Sequence, residues 1–379
     1  MTFLEISFVI LIVSSIIFYL ACAVSTYQFF ASASTQKQST NVEDAPVSIL
    51  ISIRGLDEGA WENWSSLCQQ NYPGYEILFG VTDLDDPAVP LLKKLVATFP
   101  NKVKLFVGLK PRGVNLKDSN LSYLLEKCQH EVIIFADGDI RVHPDYIRTV
   151  TAPLHNQDIG LVTCAYIGYN PHFIGAALAS FGRCVDFIPS ALLARVIDGG
   201  LQFAIGVTIA TYKSTLASFG GLQLNRIGSD YNLGKRAALS GYRVELSQYI
   251  LEWDIGHESI KKIFNRELRW ARTIRFNRGP VYYSMVFCYG TVYCLPLLLI
   301  SGFALWAIAL SFTTFVIRYA QVLVSIHSMN APKLLRWIWL IPLRDLMSFI
   351  VWAMGGFGQR VFWRGRQLKI EGDGLIVQC

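Results

Sequence analysis

The chain has 379 residues, of which 52% are hydrophobic and only 16% are charged, and its formal net charge is +6. This composition is too apolar for an ordinary soluble protein of two domains, yet the middle of the chain is normally polar, so it predicts a membrane protein with a soluble domain. The positive charge lies mainly beside the second apolar region, and no basic tail or RNA-binding motif is present. These features argue against nucleic-acid binding and indicate a membrane-topology signal.

The N-terminal segment is the first candidate membrane span. No ionised side chain occurs between Glu5 and Lys37, and residues 8–30 exceed the roughly 20 apolar residues that cross a bilayer as a helix. A cleaved signal peptide is the alternative, but the run is long for one and Glu5 stands where a basic region is expected. We therefore predict that residues 1–36 form a transmembrane anchor.

Residues 42–279 have the pattern of one soluble α/β domain. Short apolar runs predict strands at residues 47–53, 76–81, 103–107, 132–136 and 160–164. Helical patterns fall between them at residues 60–70, 87–99, 115–127 and 144–152. This alternation predicts right-handed crossovers and a mostly parallel sheet.

The fourth predicted strand ends in two carboxylates, Asp137 and Asp139, on either side of Gly138. Their side chains point to the same side of the strand's carboxyl end, where α/β sheets place ligands. This arrangement suits a hard divalent cation, Mg²⁺ or Mn²⁺, bridged to a diphosphate. A simple Asp-Gly-Asp turn without a ligand is the alternative.

Further polar residues follow the other strands. Arg54 comes directly after the first strand, and Asp83 follows the second, where it can accept hydrogen bonds from a nucleoside base or ribose. Asp86 and Pro87 are typical of a helix start. The loop from Lys110 to Lys117 combines a glycine with three cations before a helix. It indicates either an anion site at a helix N-terminus or a solvated surface.

Asp230 lies after two glycine-containing turns and opens a predicted helix over residues 231–239. One interpretation is an aspartate that caps the helix N-terminus. The other is a general base, because a sugar-accepting hydroxyl that attacks an anomeric carbon must lose its proton in the transition state.

A basic helix follows, with seven cations between residues 261 and 278. Lys262, Arg266 and Arg269 fall on one helical face, and the positive-inside rule places this helix on the cytoplasmic side. Arg266 and Arg269 also offer guanidinium groups for a diphosphate, and Trp270 offers an indole for stacking on a sugar or acceptor.

The C-terminal third contains two more apolar regions. Residues 281–326 predict a hairpin of two transmembrane helices, charged only at Arg318, which is expected to snorkel towards one membrane face. The apolar stretch at residues 334–357 carries Arg344 and Asp345 at its centre. Because ionised residues are costly in mid-bilayer, we predict that residues 334–379 form an interfacial or re-entrant helix and a cytoplasmic tail.

Taken in order, Asp83, Asp137-x-Asp139, Asp230 and Arg266-x-x-Arg269-Trp270 resemble the D, DxD, D, (Q/R)xxRW signature of membrane-bound family-2-type glycosyltransferases. The chain is more closely similar to the ceramide glucosyltransferases. That likeness rests on the segments Asn71-Tyr72-Pro73-Gly74-Tyr75-Glu76, Thr82-Asp83-Leu84-Asp85-Asp86-Pro87-Ala88, Gly113-Val114-Asn115, Ile140-Arg141-Val142, Pro144-Asp145, Asp230-Tyr231 and Trp363-Arg364-Gly365-Arg366.

The resemblance implies a glycosyltransferase A fold, Rossmann-like, with a UDP-sugar donor, a divalent metal, inversion at the anomeric carbon and a lipid hydroxyl as acceptor. The implied donor sugar is a hexose, with glucose first. Asp83 would contact the uridine, Asp137 and Asp139 would hold the metal, and Asp230 would be the base. The other implied substrate contacts are Arg54, Lys117, Arg266, Arg269, Trp270, Arg364 and Arg366.

Two departures from the animal enzymes keep alternatives open. Asp137-Gly138-Asp139 stands where they have Asp-Ser-Gly, which favours metal dependence, and Ile188-Pro189 stands where they have His-Pro, which leaves the acceptor open. N-acetylglucosaminyl or hexosyl transfer to a hopanoid or diacylglycerol is therefore a second hypothesis. A processive polysaccharide synthase shares the signature but needs more than three crossings for a channel, and a non-catalytic membrane-binding module is the last alternative. The expected location is a bacterial inner membrane, or a Golgi-type membrane in a eukaryote, with the catalytic domain cytoplasmic.

Overall fold

A computed structural model describes residues 1–32, 44–363 and 365–378. These residues form two compact units. The helical unit contains residues 1–32, 170–197, 258–363 and Gly365. The sheet unit contains residues 44–169, 198–257 and 366–378.

The regular elements of the described residues are numbered in chain order. The helices are α1 Phe3–Ala31, α2 Ala60–Cys68, α3 Val89–Thr98, α4 Leu116–Lys127, α5 Tyr146–Thr151, α6 Ile174–Phe181, α7 Ile188–Ile197, α8 Lys213–Ser218, α9 Ser229–Leu239, α10 Ile260–Arg278, α11 Gly290–Ile300, α12 Leu305–Ser328 and α13 Ile341–Gly355. The strands are β1 Val47–Ile53, β2 Tyr75–Val81, β3 Val103–Val107, β4 Val132–Ala136, β5 Ile140–Arg141, β6 Ile159–Gly168, β7 Thr208–Tyr212, β8 Arg243–Trp253, β9 Arg360–Trp363, β10 Arg366–Ile370 and β11 Ile376–Gln378.

The core of the sheet unit is an eight-stranded sheet in the order β3-β2-β1-β4-β7-β6-β8-β5. The pairs β3-β2, β2-β1, β1-β4 and β6-β8 are parallel, whereas β7 is antiparallel to both β4 and β6. The predicted α/β fold with a mostly parallel sheet is therefore confirmed. All five predicted strands are present, but β5, β7 and β8 were missed.

Most of the predicted strands are buried along almost their whole length, whereas β3 is buried only at Val103. Every residue of β2 and β4 is buried, as is nearly all of β1. A strand covered on both faces has a continuous apolar sequence, which is visible without a structure. The Trp64 ring of α2 covers Phe79 of β2, with the ring centroids 5.7 Å apart. Because β1, β2 and β4 are parallel neighbours, their carboxyl ends meet at one edge of the sheet.

The helical unit holds the apolar segments. By length and composition, four helical stretches of the described residues could each cross a membrane: Phe3–Ala31, Ile174–Ile197, Leu305–Ser328 and Pro332–Gly355. A further pair, Ile260–Cys288 and Gly290–Ile300, qualifies only as one span bent by 55°. Ile174–Ile197 was assigned from sequence to the soluble domain, yet it folds here with α1, whose Phe29 ring contacts the Arg195 guanidinium at 5.3 Å. The number of crossings stays a prediction.

A buried ionic network ties the segments of the helical unit together. Arg318 of α12 bonds to Asp345 at 2.6 Å and to Asp186 at 2.7 Å. Arg344 bonds to Asp186 at 3.0 Å and to Glu267 of α10 at 2.8 Å. Asp186 lies in a π-helical turn, Gly182–Phe187, between α6 and α7.

This network corrects one expectation and weakens another. Arg318 does not snorkel, because its residue is only 3% exposed and its guanidinium is paired. Arg344 and Asp345 are also paired, so unpaired charge is no longer a reason to keep residues 334–357 out of the bilayer. The interfacial placement of that stretch stays a prediction.

Candidate active site

The acidic pair lies at the carboxyl end of β4, and neighbouring segments hold its backbone. The Asp137 amide donates to the Val207 carbonyl at 3.0 Å, and the Asp139 carbonyl accepts from the Asp254 amide at 2.9 Å. The indole of Trp64 donates to the Gly138 carbonyl at 3.0 Å. A Cβ at Gly138 would come within 2.4 Å of Ile53 Cδ1, so a larger residue between the two aspartates would require the Ile53 side chain to move. The pair is thus a fixed feature of the sheet edge.

Each carboxylate of the pair has a defined partner. Lys117 Nζ lies 2.5 Å from Asp137 Oδ1 and donates to the Gly206 carbonyl at 3.2 Å. The indole of Trp253, at the end of β8, donates to Asp139 Oδ2 at 2.9 Å. Both carboxylates are half-buried. Sequence reasoning missed Trp253, because its strand was not predicted.

The acidic pair fits a divalent cation that takes further ligands from a diphosphate. Two half-exposed aspartates supply hard oxygens of the kind that Mg²⁺ and Mn²⁺ prefer. Within the described part of the chain, no group of three or more His, Cys, Asp or Glu side chains could hold an ion by itself. The remaining ligands would therefore come from the substrate and water, which agrees with the small number of carboxylates that Mg²⁺ sites use alongside phosphates.

The start of α4 places a cation and a buried acid next to this pair. Asn115 caps the helix by accepting from the Asp118 amide at 3.3 Å. Burial lowers the pKa of Lys117, but the ion pair with Asp137 and the nearby Asp230 outweigh it and raise that pKa overall. Burial raises the pKa of Asp118 to about 7, against the opposing effect of Lys117. Lys117, predicted as a substrate contact, is therefore in place as a cation, and Asp118 is an addition that sequence reasoning missed.

Asp230 does not cap its helix. The N-cap of α9 is Gly228, in a left-handed conformation with φ of 63°, and Asp230 is the second helical residue. The capping interpretation is wrong, because the left-handed turn at glycine moves the helix start one residue upstream of Asp230. A Cβ at Gly206 would lie 2.5 Å from Asp230 Oδ2, so this carboxylate packs directly against the Gly206 backbone.

The environment of Asp230 suits a proton acceptor. Burial raises the pKa of this carboxyl, Lys117 lowers it in part, and the charge of Asp137 raises it again. A general base works best when its pKa approaches the working pH. Asp137, Lys117, Gly206 and Asp230 are linked in one cluster by the Lys117 contacts and the Gly206 approach.

Asp83 and Arg54 lie at the ends of β2 and β1. Asp83 is exposed, and one of its oxygens accepts from the Asp85 amide at 3.2 Å. Asp86 is buried and accepts from the Gly55 amide at 2.8 Å and the Ala88 amide at 2.9 Å, so it fixes the two loops against each other. An exposed carboxylate at this edge is accessible to a nucleoside. The roles of Asp83 and Arg54 stay predictions.

Arg266, Arg269 and Trp270 lie on α10 of the helical unit, and three guanidinium groups surround the indole. The Cζ atoms of Arg183, Arg266 and Arg269 are 3.8, 5.4 and 5.8 Å from the Trp270 ring. Arg266 also forms an ion pair with Glu258. Arg183 was not predicted, although a cation in a long apolar segment is a signal of function in itself. This cationic cluster can stabilise an anion.

The last two predicted substrate contacts are Arg364 and Arg366. Arg364 lies outside the described residues. Arg366 donates to the Val114 carbonyl at 3.2 Å and to the Gln378 side chain at 2.8 Å. These contacts place Arg366 beside the loop that precedes α4, and its role towards substrate stays a prediction.

Sequence comparison matches residues 8–376 to Glycosyl transferase family 21. Ceramide glucosyltransferase 3 of Caenorhabditis elegans is 25% identical over 240 residues, covering 60% of this chain and 50% of the relative. Ceramide glucosyltransferase 1 of the same organism is 22% identical over 352 residues, covering 87% of this chain and 72% of the relative. The chain thus spans about half the length of the first relative. The expected likeness to ceramide glucosyltransferases is confirmed, and these relatives and the apolar helices together indicate a membrane protein.

Structure comparison shows the fold. A mannosyltransferase from Pyrobaculum calidifontis, solved in complex with GDP-mannose and Mn²⁺, aligns with a TM-score of 0.53 at 13% identity. The alignment covers 92% of this chain and 99% of that one. The expected glycosyltransferase A fold is therefore confirmed.

Proposed function

Because the chain belongs to Glycosyl transferase family 21, we propose that it transfers a hexose from a UDP-sugar to the hydroxyl of a membrane lipid. Glucose is the favoured sugar and a ceramide-like lipid is the favoured acceptor. The observation that carries this proposal is the cluster at the sheet edge, where Asp137 is paired with Lys117 and Asp230 packs against the Gly206 backbone that Lys117 also contacts.

The residues of the cluster divide the chemistry between them. When bound at Asp137 and Asp139, a divalent cation would neutralise charge on the leaving diphosphate. Lys117 adds a cation on the same side. Asp230 accepts the proton of the acceptor hydroxyl while that oxygen bonds to the anomeric carbon. The bond from that carbon to the diphosphate oxygen breaks on the opposite face, UDP leaves, and the configuration inverts.

Recognition of the two substrates is assigned to the remaining predicted residues. Asp83 and Arg54 take the nucleotide, because they follow the parallel strands β2 and β1, of which β1 pairs with β4, and Asp83 is exposed. Arg266, Arg269 and Trp270 take donor diphosphate or acceptor headgroup, because guanidinium groups pair with phosphate and an indole stacks on a sugar face.

The sheet unit is proposed to face the cytoplasm, since seven cations precede the apolar segment at residue 281. Cys68 and Cys128 are buried and unsuitable as reporters. An introduced cysteine at the exposed Ala97 of α3 reports the side directly. An impermeant thiol reagent should label Ala97→Cys only after the cells are permeabilised, and labelling of intact cells would overturn the orientation.

The deciding experiment follows radiolabelled UDP-glucose and UDP-N-acetylglucosamine in detergent extracts with ceramide or diacylglycerol. A lipid-soluble labelled product supports the proposal and identifies sugar and acceptor. A polymer would indicate a polysaccharide synthase, and no turnover of any UDP-sugar would indicate a binding module. Asp139→Asn and excess EDTA should each abolish the product, and full activity in both would refute the metal assignment.

A further inference from the structure

Residues 366–378 form a small hairpin within the sheet unit, and apart from Arg366, a predicted substrate contact, none of them has a role in the proposed chemistry. Strands β10 and β11 pair antiparallel, with Leu368 opposite Gln378 and Ile370 opposite Ile376. We call residues 366–378 the C-terminal hairpin. Its turn, Gly372–Gly374, faces the segment that leads into α9.

Backbone hydrogen bonds join the C-terminal hairpin to residues 225–227. The Ile227 amide donates to the Gly374 carbonyl at 2.9 Å, and the Ile376 amide donates to the Asn225 carbonyl at 2.9 Å. Arg226 and Leu375 form an antiparallel bridge between these two contacts. The segment before α9 is therefore bonded to the hairpin as a short extra strand.

An ion pair between Arg226 and Asp373 joins the same two segments. Arg226 Nη1 lies 2.7 Å from Asp373 Oδ2 and also donates to the Asp373 carbonyl. Asp373 adopts a left-handed conformation, with φ of 58°, which is uncommon for a residue other than glycine. Its side chain is 66% exposed, so the pair contributes little to stability. A surface pair that adds little stability, yet lies beside the backbone contact between two segments, points to a geometric role.

The opposite side of residues 224–226 is bonded to the loop before α4. The Asn115 amide donates to the Leu224 carbonyl at 2.8 Å, and Asn115 Nδ2 donates to the Arg226 carbonyl at 2.9 Å. Asn225 Oδ1 accepts from the Val114 amide at 2.9 Å. A Cβ at Gly113 would lie 2.5 Å from the Leu224 carbonyl oxygen, so glycine permits this close approach.

Residues 224–227 thus lie between the C-terminal hairpin and the loop that begins α4. The helix with Asp230 starts two residues after Ile227, and the helix with Lys117 starts at Leu116. The two helix starts are also joined directly, because the Ser229 hydroxyl donates to Asp118 Oδ1 at 3.1 Å.

We propose that the C-terminal hairpin is a positioning element of the active site, which holds Asp230 and Lys117 in register through residues 224–227 and the Arg226–Asp373 pair. The proposal rests on the proposed function, since it assigns the hairpin to that reaction. Asp373 and Arg226 touch no reacting atom, and their effect is carried by the segment that leads into α9.

Two variants test the contact. Asp373→Asn removes the charge but keeps a residue type that tolerates the left-handed conformation, and Arg226→Met removes the cation. The matched control is Arg148→Met on α5, which breaks an exposed ion pair with Asp44 at 2.6 Å and takes part in none of the bonds described for residues 224–227. Turnover of radiolabelled UDP-glucose, KM for UDP-glucose, melting temperature and amide hydrogen exchange are measured for all three variants and the unaltered protein.

We expect kcat to fall by about 10- to 100-fold in Asp373→Asn and Arg226→Met, with KM and melting temperature close to those of the control, because small misplacements of catalytic groups cost rate at this scale. Exchange should rise in peptides from α9 and the start of α4, but not in α5.

Values of kcat within twofold of Arg148→Met, with unchanged exchange in α9, would overturn the proposal. Losses of kcat that only track a lowered melting temperature would also overturn it, since they indicate a purely structural role. If the unaltered protein turns over no UDP-sugar, the proposed function fails, and the exchange measurement alone decides on the hairpin: faster exchange in α9 supports the contact and unchanged exchange refutes it.

Discussion

Replacing Asp230 by asparagine separates catalysis from folding. The change keeps the shape of a side chain that packs against Gly206 and removes its ability to accept a proton. Asp230 is not the N-cap of α9, and asparagine keeps an oxygen that can accept from the Tyr231 amide as the carboxylate does. A carboxylate in the first turn of a helix contributes about 0.3 to 1 kcal/mol through the helix dipole. Burial raises the pKa of Asp230, which means that its charged form is disfavoured and that neutralising it recovers some free energy.

The expected loss in rate is much larger than this change in stability. A general base contributes roughly 10²- to 10⁴-fold, which corresponds to about 3 to 5 kcal/mol in activation free energy. The variant should therefore melt close to the unaltered protein and bind UDP-sugar normally, while kcat falls by at least about 100-fold. Asp230→Ala should lose the same activity.

The pH profile provides a second readout. The base must be deprotonated to act, so kcat should rise with pH through the pKa of Asp230, which burial places above the ordinary aspartate value. This limb should be absent from the residual activity of Asp230→Asn. An Asn variant whose kcat stays within about threefold of the unaltered protein, or keeps the same acid limb, would refute the assignment of Asp230 as the base.

Three further predictions concern the supports of the site and of the helical unit. Gly206→Ala would place a Cβ 2.5 Å from Asp230 Oδ2, so kcat should fall by about 10-fold or more. The control is Gly74→Ala, whose Cβ would have an ordinary contact with Pro46 at 3.4 Å. Equal kcat values for the two variants would contradict the close approach of Gly206 to Asp230. Burial raises the pKa of Asp118 to about 7 from the ordinary 3.8, so the native state holds a proton that the unfolded state releases. The free energy of unfolding should therefore decrease as pH rises from about 4 to 7, by up to about 4 kcal/mol. Asp118→Asn should abolish this pH dependence in melting experiments, and an unchanged pH dependence would show that another group is responsible. Arg318→Met would remove the cation that Asp345 and Asp186 share and should lower the free energy of unfolding by about 3 to 5 kcal/mol. Its melting temperature in detergent should be lower than that of the control, Lys261→Met, at an exposed position. Equal melting temperatures would mean that the network contributes nothing to stability.

Much of the sheet and of its acidic edge could be predicted because the signals are local in sequence. Strand β4 is continuous in apolar residues and ends in Asp137 and Asp139, so one short window contains both the strand and the candidate ligands. Strand β8 was missed because Arg243, Glu245 and Glu252 interrupt its apolar residues, so it has no continuous apolar run. Trp253, the partner of Asp139, was missed with it. The N-cap at Gly228 was missed because its left-handed conformation is a property of the folded turn.

Other features depend on contacts between distant parts of the chain. The pairing of Lys117 with Asp137 joins the start of α4 to the end of β4, and a sequence window shows Lys117 only as one of three cations in the loop before a helix. Arg344 and Asp345 were interpreted as ionised residues too costly for mid-bilayer, because their partners Asp186, Glu267 and Arg318 lie far from them in the sequence. In the sequence, Asp118 is an ordinary acidic residue in the first turn of a helix. The structure shows that it is buried, and this burial raises its pKa.

The ionic network of the helical unit also has a consequence for biosynthesis. Asp186 is separated from Arg318 by 132 positions and from Arg344 by 158. At a synthesis rate of about 5 to 20 residues per second, its carboxylate emerges roughly 7 to 26 seconds before the first of these cations. The earlier apolar segments therefore cannot reach their final arrangement until α12 and α13 have been made. Assembly of this unit is completed from its C-terminal end, and a nascent chain that stops before Arg318 carries Asp186 and Glu267 without either of the arginines that neutralise them.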